Sequence, residues 1–404
     1  MIYLLTNLRK KHESALENMR IGFDAKRLYG NFTGLGNYSR SLLANLGTFY
    51  PKHDYYLYTP RIKKSPETDY FLHHTDYHTH QSHAWLKAWW RSYAIVKQLE
   101  QDRIQLYHGL SHELPFGLRQ AGIRSIVTIH DLIFKIYPHT YSAIDRKIYD
   151  FKFRDSCQRA DRIVAISYNT KRDIVRFYGI DPSKIEVVYQ SCAPLYYHLE
   201  EPVGKERNLG RSLSDTLPSE YLLFVGSVQE RKNLKLLLAS YQYLSSDEQI
   251  PLVVVGKGGK YQQQMMALAQ AQGVQDLVHW KDDVVGNHQL RRLYQNATAL
   301  VYPSFYEGFG LPVVEALLSK TPVITSNVSS LPEAGGPHSL YVDPSQPEEL
   351  AHAIRRVLNE EALRQTMQKE GYAYALEHFA PEAVTRQMMQ LYEKTLSESY
   401  GKHV

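Results

Sequence analysis

Cysteine is nearly absent: of 404 residues only Cys157 and Cys192 carry a thiol. Their positions follow no metal-ligand spacing and offer no disulfide framework. Both read as small buried hydrophobes in a reducing compartment. Long apolar runs are missing too, since none approaches the roughly 18 residues that span a bilayer. With 43% hydrophobic and 22% charged residues, the composition is that of a soluble globular protein, expected in the cytosol. The opening Met1-Ile-Tyr-Leu-Leu-Thr6 runs straight into Asn7-Leu-Arg-Lys-Lys11 without a small-residue cleavage site, so it makes a poor secretory signal. A domain-like strand starts only at Arg20-Ile-Gly-Phe-Asp-Ala25, which makes residues 1–18 a non-core extension. No helix-turn-helix, zinc-finger or RNA-recognition pattern is present, and nucleic acid is not an expected partner.

The length fits two domains, and the charge is divided unevenly between them. Residues 1–200 carry 28 Lys and Arg against 19 Asp and Glu, a balance of +9, whereas 201–404 carry 19 against 23, a balance of −4. A basic first half suits a phosphorylated acceptor or an anionic lipid surface. Short β-branched runs alternate with helix-length amphipathic stretches, the pattern of parallel sheets covered by helices on both faces. Strands are expected at 20–25, 55–59, 104–107, 124–129, 162–166 and 185–189, then at 222–226, 252–256, 277–280, 299–302, 322–325 and 340–343. The fold class is α/β: two Rossmann-like, doubly wound parallel sheets facing a central cleft. Pro194, Pro202, Gly204, Gly210 and Pro218 mark 191–219 as a linker. The domains are then 19–200 and 201–380, followed by a helical tail, 381–404, that packs back on the first domain.

In such sheets ligands gather outside the carboxyl ends of the strands. Ser304-Phe-Tyr-Glu-Gly-Phe-Gly-Leu-Pro-Val-Val-Glu-Ala316 follows a strand. Its glycines let backbone amides approach a ligand, and Pro312 suits a helix start whose N–H groups accept an anion or a sugar oxygen. Glu307 and Glu315 bring two carboxylates to this region, natural partners for vicinal diols; as an acid–base pair they would also be compatible with glycoside hydrolysis. Arg231 and Lys232 stand where a strand feeds a helix, within reach of a diphosphate. Gly34-Leu-Gly36 opens another helix, and His130-Asp131 follows the strand 124–129.

The combination resembles glycosyltransferase family 4, retaining enzymes of the GT-B fold that include bacterial mannosyltransferases. The resemblance rests on 304–316 together with Asp24-Ala-Lys-Arg27, Thr33-Gly-Leu-Gly-Asn-Tyr38, Thr128-Ile-His-Asp-Leu132, Gly226-Ser-Val-Gln-Glu-Arg-Lys-Asn-Leu234 and Ser329-Ser-Leu-Pro-Glu-Ala334. It implies a hexose transfer from a nucleotide-diphospho-sugar, GDP-mannose preferred, to a saccharide or lipid-linked acceptor in polysaccharide assembly. Glu315 would hold the ribose hydroxyls, Glu307 the donor sugar, and Gly308, Phe309, Gly310 and Leu311 the sugar or phosphate through their backbone. Arg231 and Lys232 would neutralise the diphosphate without a metal or other cofactor. Gly34, Gly36, Gly226 and Ser227 would line the donor phosphates, Asp283 the nucleotide base, and His130 the reacting sugar. Many relatives carry arginine where this chain has Ser227. The resemblance also implies front-face attack without an enzymatic nucleophile. A GT-B epimerase or phosphorylase, or a non-catalytic nucleotide-sugar-binding protein, would share the architecture.

Two further stretches are read from composition. The histidine-rich His73–His83 reads as a polar loop rather than a zinc site. Trp85, Trp89 and Trp90, with Lys87, Arg91 and Lys97, read as core packing with a solvated basic edge. A peripheral contact with the inner membrane face is the alternative.

Overall fold

A computed structural model describes residues 18–197, 217–282, 284 and 286–398. The extension to residue 17, most of the 191–219 stretch and Asp283 lie outside these residues. The chain divides into two compact units. One runs to Ser191 and regains the chain from Pro381; the other comprises Cys192 to Ala380. The division at Ser191 precedes the expected boundary at residue 200. Pro194–Tyr197 forms a 3-10 turn that buries Tyr196 edge-on to Tyr294 in the second unit.

The first unit holds a seven-stranded parallel sheet in the order β3-β2-β1-β4-β5-β6-β7. Its strands are β1 (Arg20–Asp24), β2 (Asp54–Thr59), β3 (Tyr77–Gln81), β4 (Leu106–Gly109), β5 (Arg124–Ile129), β6 (Arg162–Ala165) and β7 (Ile185–Val187). The second holds six parallel strands in the order β10-β9-β8-β11-β12-β13. These are β8 (Leu222–Val225), β9 (Leu252–Val255), β10 (Val278–Lys281), β11 (Ala299–Tyr302), β12 (Val323–Ser326) and β13 (Leu340–Val342). Central strands such as Leu222-Leu-Phe-Val225 and Leu252-Val-Val-Val255 are buried at every position, as parallel strands covered on both faces require. Each unit is therefore a doubly wound α/β layer.

Two composition readings need correction. The run His73–His83 is not a loop, because Tyr77–Gln81 forms edge strand β3, parallel to β2. Tyr77 is buried and Thr79 bonds Tyr29, whereas His78 lies against Tyr56 and His80 stacks on Tyr58, ring centroids 5.3 Å apart. Period-2 alternation at a sheet edge tolerates this many polar residues. Only part of the tryptophan stretch packs on the core: Trp90 is half-buried against the cluster that holds Ile95 and Leu99, whereas Trp85 is 93% and Trp89 55% exposed, beside exposed Leu86 and Tyr93. Arg91 is not a solvated cation either. It pairs with Asp24 and with Glu113, each at 2.8 Å. Burial here follows the Asp24 carboxylate at the end of β1 and that of Glu113 beyond β4, which draw in the guanidinium side of the helical stretch and leave Trp85 and Trp89 outside.

The helix Pro381–Ser397 completes the first unit. Its Val384, Met388, Met389, Leu391 and Tyr392 join Ile21, Phe23, Leu43 and Leu46 in one buried cluster. The Tyr392 hydroxyl hydrogen-bonds His108 Nδ1 at 2.8 Å, and His108 Nε2 bonds Thr128 Oγ1 at 2.8 Å. Burial lowers the His108 ring to about 3, so it is neutral and both nitrogens need partners. Tyr392→Phe would orphan one of them, and the expected loss is about 1–3 kcal/mol. A denaturant or thermal unfolding midpoint equal to that of the parent would show that the ring nitrogen finds another partner.

Candidate functional site

The second unit concentrates its polar chemistry where β8 and β11 end. After β8, Gly226 turns the chain at φ +137° beside Gly256 at φ +145°. A Cβ on Gly256 would lie 2.0 Å from the Gly226 carbonyl oxygen, so close packing of two strand ends demands these glycines. Ser227 follows, exposed, and accepts from Gln229 Nε2 at 3.0 Å. Glu230–Lys232 is a 3-10 turn, and Asn233 takes the left-handed conformation, φ +57°, at the start of helix Leu234–Ser240. The Asn233 amide donates to the carbonyls of Pro303 at 3.1 Å and Pro344 at 2.8 Å. Phe305 N–H donates to the Arg231 carbonyl at 2.9 Å. These bonds hold the loop after β11 against the turn that carries the two cations.

Within this frame Glu307 is buried, and its Oε1 accepts from Arg231 Nη1 at 2.8 Å and Lys232 Nζ at 2.7 Å. Tyr302 donates to the same oxygen at 3.2 Å. Arg231 also bonds the Tyr306 carbonyl, and Lys232 the Tyr302 hydroxyl. Burial alone would raise the Glu307 carboxyl, but Lys232 and Arg231 more than offset this and hold it at about 2. Burial works against the charge on Lys232 while Glu307 supports it, and two basic side chains sharing one carboxylate in a low-dielectric pocket suit an anionic ligand.

The glycine loop beyond Glu307 is shaped from outside. Gly310 sits at φ +119°, where a Cβ would come 3.1 Å from Leu331 and 3.3 Å from Ala334. Ser329 Oγ accepts the Glu307 N–H at 3.1 Å, and Ser330 Oγ donates to the carbonyls of Glu307 and Phe309. Gly308 is buried, and the Phe309 ring packs edge-on to Phe379 at 5.4 Å. Helix Leu311–Leu318 begins there with Pro312 in its first turn. One turn on, half-buried Glu315 accepts from the Tyr294 hydroxyl at 3.0 Å. Its surroundings push the carboxyl up to about 7 through withdrawal from water, against the pull of that hydrogen bond. The two glutamates thus differ sharply: Glu307 is locked as a carboxylate among cations, while Glu315 is poised among phenols. Asp282, next to the expected Asp283, accepts from Gln262 Nε2 at 3.3 Å.

In the first unit Gly36 N–H donates to Asn31 Oδ1 at 3.1 Å, and a Cβ on Gly36 would meet the Asn31 carbonyl at 1.7 Å. Around Gly34 the space is open. Helix Gly34–Phe49 carries Tyr38, whose ring lies edge-on to His130 at 4.7 Å and whose hydroxyl bonds Thr128 Oγ1 at 3.0 Å. His130 is buried, its Nε2 on the Leu110 carbonyl at 2.9 Å. Burial lowers this ring to about 4, with the Leu110 hydrogen bond opposing and Arg27 adding to the shift.

The structure therefore assembles Arg231, Lys232, Glu307 and Gly308–Leu311 in the second unit, with Glu315 on the helix that follows them. Gly34, Gly36 and His130 lie in the first. Sequence reasoning assigned no role to Asn233, Tyr294, Tyr302, Ser329 or Ser330. All but Tyr294 sit in or beside a quoted motif, but the function of each is a hydrogen bond to a segment distant in sequence. Among the described residues no group of three or more His, Cys, Asp or Glu is arranged to hold a metal ion. No described helix is long and apolar enough to cross a membrane.

Comparison with known proteins bears on both units. The family model for glycosyl transferases group 1 matches residues 211–374, and that for glycosyltransferase family 4 matches residues 32–191. O-antigen chain mannosyltransferase B of Escherichia coli is 29% identical over 300 residues, 71% of this chain and 74% of that protein. O-antigen chain mannosyltransferase RfbU of Salmonella typhimurium is 28% identical over 246 residues, 61% of this chain and 63% of its own length. The crystal structure of Anabaena HepE in complex with UDP and glucose superposes with a TM-score of 0.70 at 14% identity, covering 93% of this chain and 99% of that one. That likeness is one of fold.

Replacing Glu307 by Gln leaves Arg231 and Lys232 facing each other without their carboxylate. Breaking a buried ion pair by removing one partner costs about 3–5 kcal/mol, so the unfolding midpoint falls. Millimolar pyrophosphate is expected to raise the midpoint of Glu307→Gln more than that of the parent, because the anion takes the carboxylate's place. Equal anion-induced shifts in a melting experiment would count against this electrostatic account.

Proposed function

The chain belongs to the group 1, family 4 glycosyltransferases, and from that premise we propose that it is a metal-independent, retaining hexosyltransferase using a nucleotide-diphospho-sugar, with GDP-mannose the preferred donor. The observation that carries the reading is the buried cluster in which Arg231 and Lys232 share the Glu307 carboxylate, placed where a β strand meets a helix start. On this reading Arg231 and Lys232 take the diphosphate, doing what a divalent metal does in the other major glycosyltransferase fold. Glu307 holds a sugar hydroxyl as the anion draws the cations away, and Glu315 takes the ribose diol. Backbone amides of Gly308–Leu311 contact the sugar or phosphate, and His130 takes a hydroxyl of the transferred sugar.

The chemistry that fits is front-face displacement. The bond from C1 to the diphosphate breaks, a bond from C1 to the acceptor oxygen forms, and the acceptor proton passes to the departing phosphate. Such a step needs positioning and stabilisation of the leaving group more than a protein nucleophile. The mannosyltransferase names of the two O-antigen relatives support mannose and a polysaccharide-assembly acceptor, saccharide or lipid-linked. A UDP-glucose-type donor is the second choice within the same family. Exposed Trp85, Leu86 and Trp89 beside Lys87 support a peripheral contact with an anionic membrane surface, since indoles and cations suit the headgroup region.

The direct test is calorimetric binding and turnover across GDP- and UDP-sugars with purified protein. GDP-mannose is expected to bind and to be hydrolysed slowly without acceptor. Absence of binding and turnover across the panel would sink the proposal, and preference for a UDP-sugar would overturn the donor assignment alone. A second test uses the raised Glu315 carboxyl. A diol donates to a carboxylate, so donor affinity should climb as pH rises toward about 7 and level off above it, by up to about tenfold per unit on the acid side. Nucleotide sugars have no titrating phosphate in this window, and Glu315→Gln should flatten the profile.

A further inference from the structure

The two glutamates of the glycine loop and its helix are held in opposite ways. Glu307 takes two cations, whereas among the described residues the only group bonded to the Glu315 side chain is a phenol: the Tyr294 hydroxyl donates to Oε2 at 3.0 Å. Tyr294 is fully buried in the last turn of helix Asn287–Asn296. Its backbone carbonyl accepts from Thr321 Oγ1 at 2.6 Å, and the carbonyl of Leu293 before it accepts from the Tyr221 hydroxyl at 2.7 Å. Carbonyls at a helix end need such partners, and these two pin the turn from which the phenol reaches Glu315. The ring itself lies edge-on to Tyr196, centroids 6.3 Å apart.

A phenylalanine ring would fill the same space, so packing does not account for the hydroxyl. Its chemistry does. A carboxylate has about four acceptor sites; a guanidinium or ammonium would occupy several of them and cancel the charge, whereas one phenol takes a single site and leaves the charge in place. Burial, followed by the charge of Glu315, raises the Tyr294 phenol well above its ordinary value, so it stays protonated and can only donate here. Cys192, Tyr196 and Tyr197, the other titratable groups that feel Glu315, are likewise pushed up by burial and remain neutral; Arg291, one turn before Tyr294 on the same helix, acts on Tyr196. The acceptor sites left on Glu315 therefore suit neutral donors, and two hydroxyls on adjacent carbons can reach the two oxygens of one carboxylate when its plane is fixed.

We propose that Tyr294 is a positioning residue for the nucleotide: its hydroxyl locks the Glu315 carboxylate in the orientation whose free lone pairs take the two ribose hydroxyls. This rests on the ribose reading of Glu315 above and adds the residue that orients it. The same hydrogen bond favours the charged form and so opposes the withdrawal from water that raises Glu315 to about 7. Tyr294→Phe removes that opposition, and the carboxyl moves further up, by about one to two pH units for a hydrogen bond to a charged group.

The test is equilibrium binding of GDP and 2′-deoxy-GDP, and of UDP and 2′-deoxy-UDP, by the full chain between about pH 6 and pH 9. Three proteins are compared: the parent, Tyr294→Phe, and Tyr221→Phe, which deletes a buried phenol hydrogen bond to the same helix without touching Glu315. Taking each variant as a ratio to the parent at the same pH cancels titration of the ligand and of the cations. Tyr294→Phe should bind the preferred ribonucleotide about 5- to 50-fold more weakly near pH 7 and come within about threefold of the parent near pH 9. It should also lose most of the parent's preference for ribose over deoxyribose near pH 7. Tyr221→Phe should lower the melting midpoint and leave both the pH profile and the ribose preference at parent values. A loss in Tyr294→Phe that is the same at every pH, or a parent-like profile and ribose preference, would overturn the positioning role while leaving Glu315 on the ribose. A parent that binds ribonucleotide and deoxyribonucleotide equally would remove the ribose reading, and this inference with it.

Discussion

Much of the second unit is organised around one buried carboxylate. Glu307 lies between Arg231 and Lys232, and none of the three would be stable there alone, since an isolated charge withdrawn from water costs far more than a fold of this size can spare. Bringing them together requires the ends of β8 and β11 to be neighbours, the Asn233 amide to tie the two loops, and Ser329 and Ser330 to hold the glycine loop by its backbone. The pair of cations connects this packing to function. On the proposed reading, a diphosphate would draw on the same two cations that Glu307 holds.

The first unit meets a milder form of the same constraint. Its interior is rich in rings that carry a polar atom, and the structure satisfies most of them through hydroxyl relays. Tyr392, His108, Thr128 and Tyr38 form a hydrogen-bonded series running from the C-terminal helix to the ring that packs edge-on to His130. Such a series is costly to leave half-made, so it specifies the conformation around His130 more narrowly than apolar packing would. His112 departs from the pattern with a buried, unpartnered nitrogen. The buried Tyr178 hydroxyl is a second ring atom of this unit without a hydrogen-bond partner.

The relatives and the site speak at different resolutions. Family membership and fold place the chain among glycosyltransferases, and a fold shared at 14% identity says nothing about which sugar is moved. Substrate choice resides in a few groups whose protonation and orientation depend on their surroundings. Glu307 and Glu315, eight positions apart, illustrate this, one ionised by adjacent cations and the other raised by withdrawal from water.

Periodicity, glycine placement and motif order in the sequence determined the two parallel-sheet units, most of their strands and the list of candidate residues, because those features are local. Buried parallel strands must be apolar throughout, and strand-to-helix turns at ligand sites must carry glycine. The sequence did not show that the histidine-rich run is an edge strand. Its alternation becomes legible only when β2 supplies Tyr56 and Tyr58 as partners. Nor did it show that Trp85 and Trp89 face outward, because the same helical spacing suits either burial or exposure until Asp24 and Glu113 claim Arg91. Only the tertiary structure decided how Glu307, Arg231 and Lys232 neutralise one another, and that His112 lies against His130. Charge pairing, burial and tautomer are properties of neighbours in space, and in each of these cases the decisive neighbour is remote along the chain.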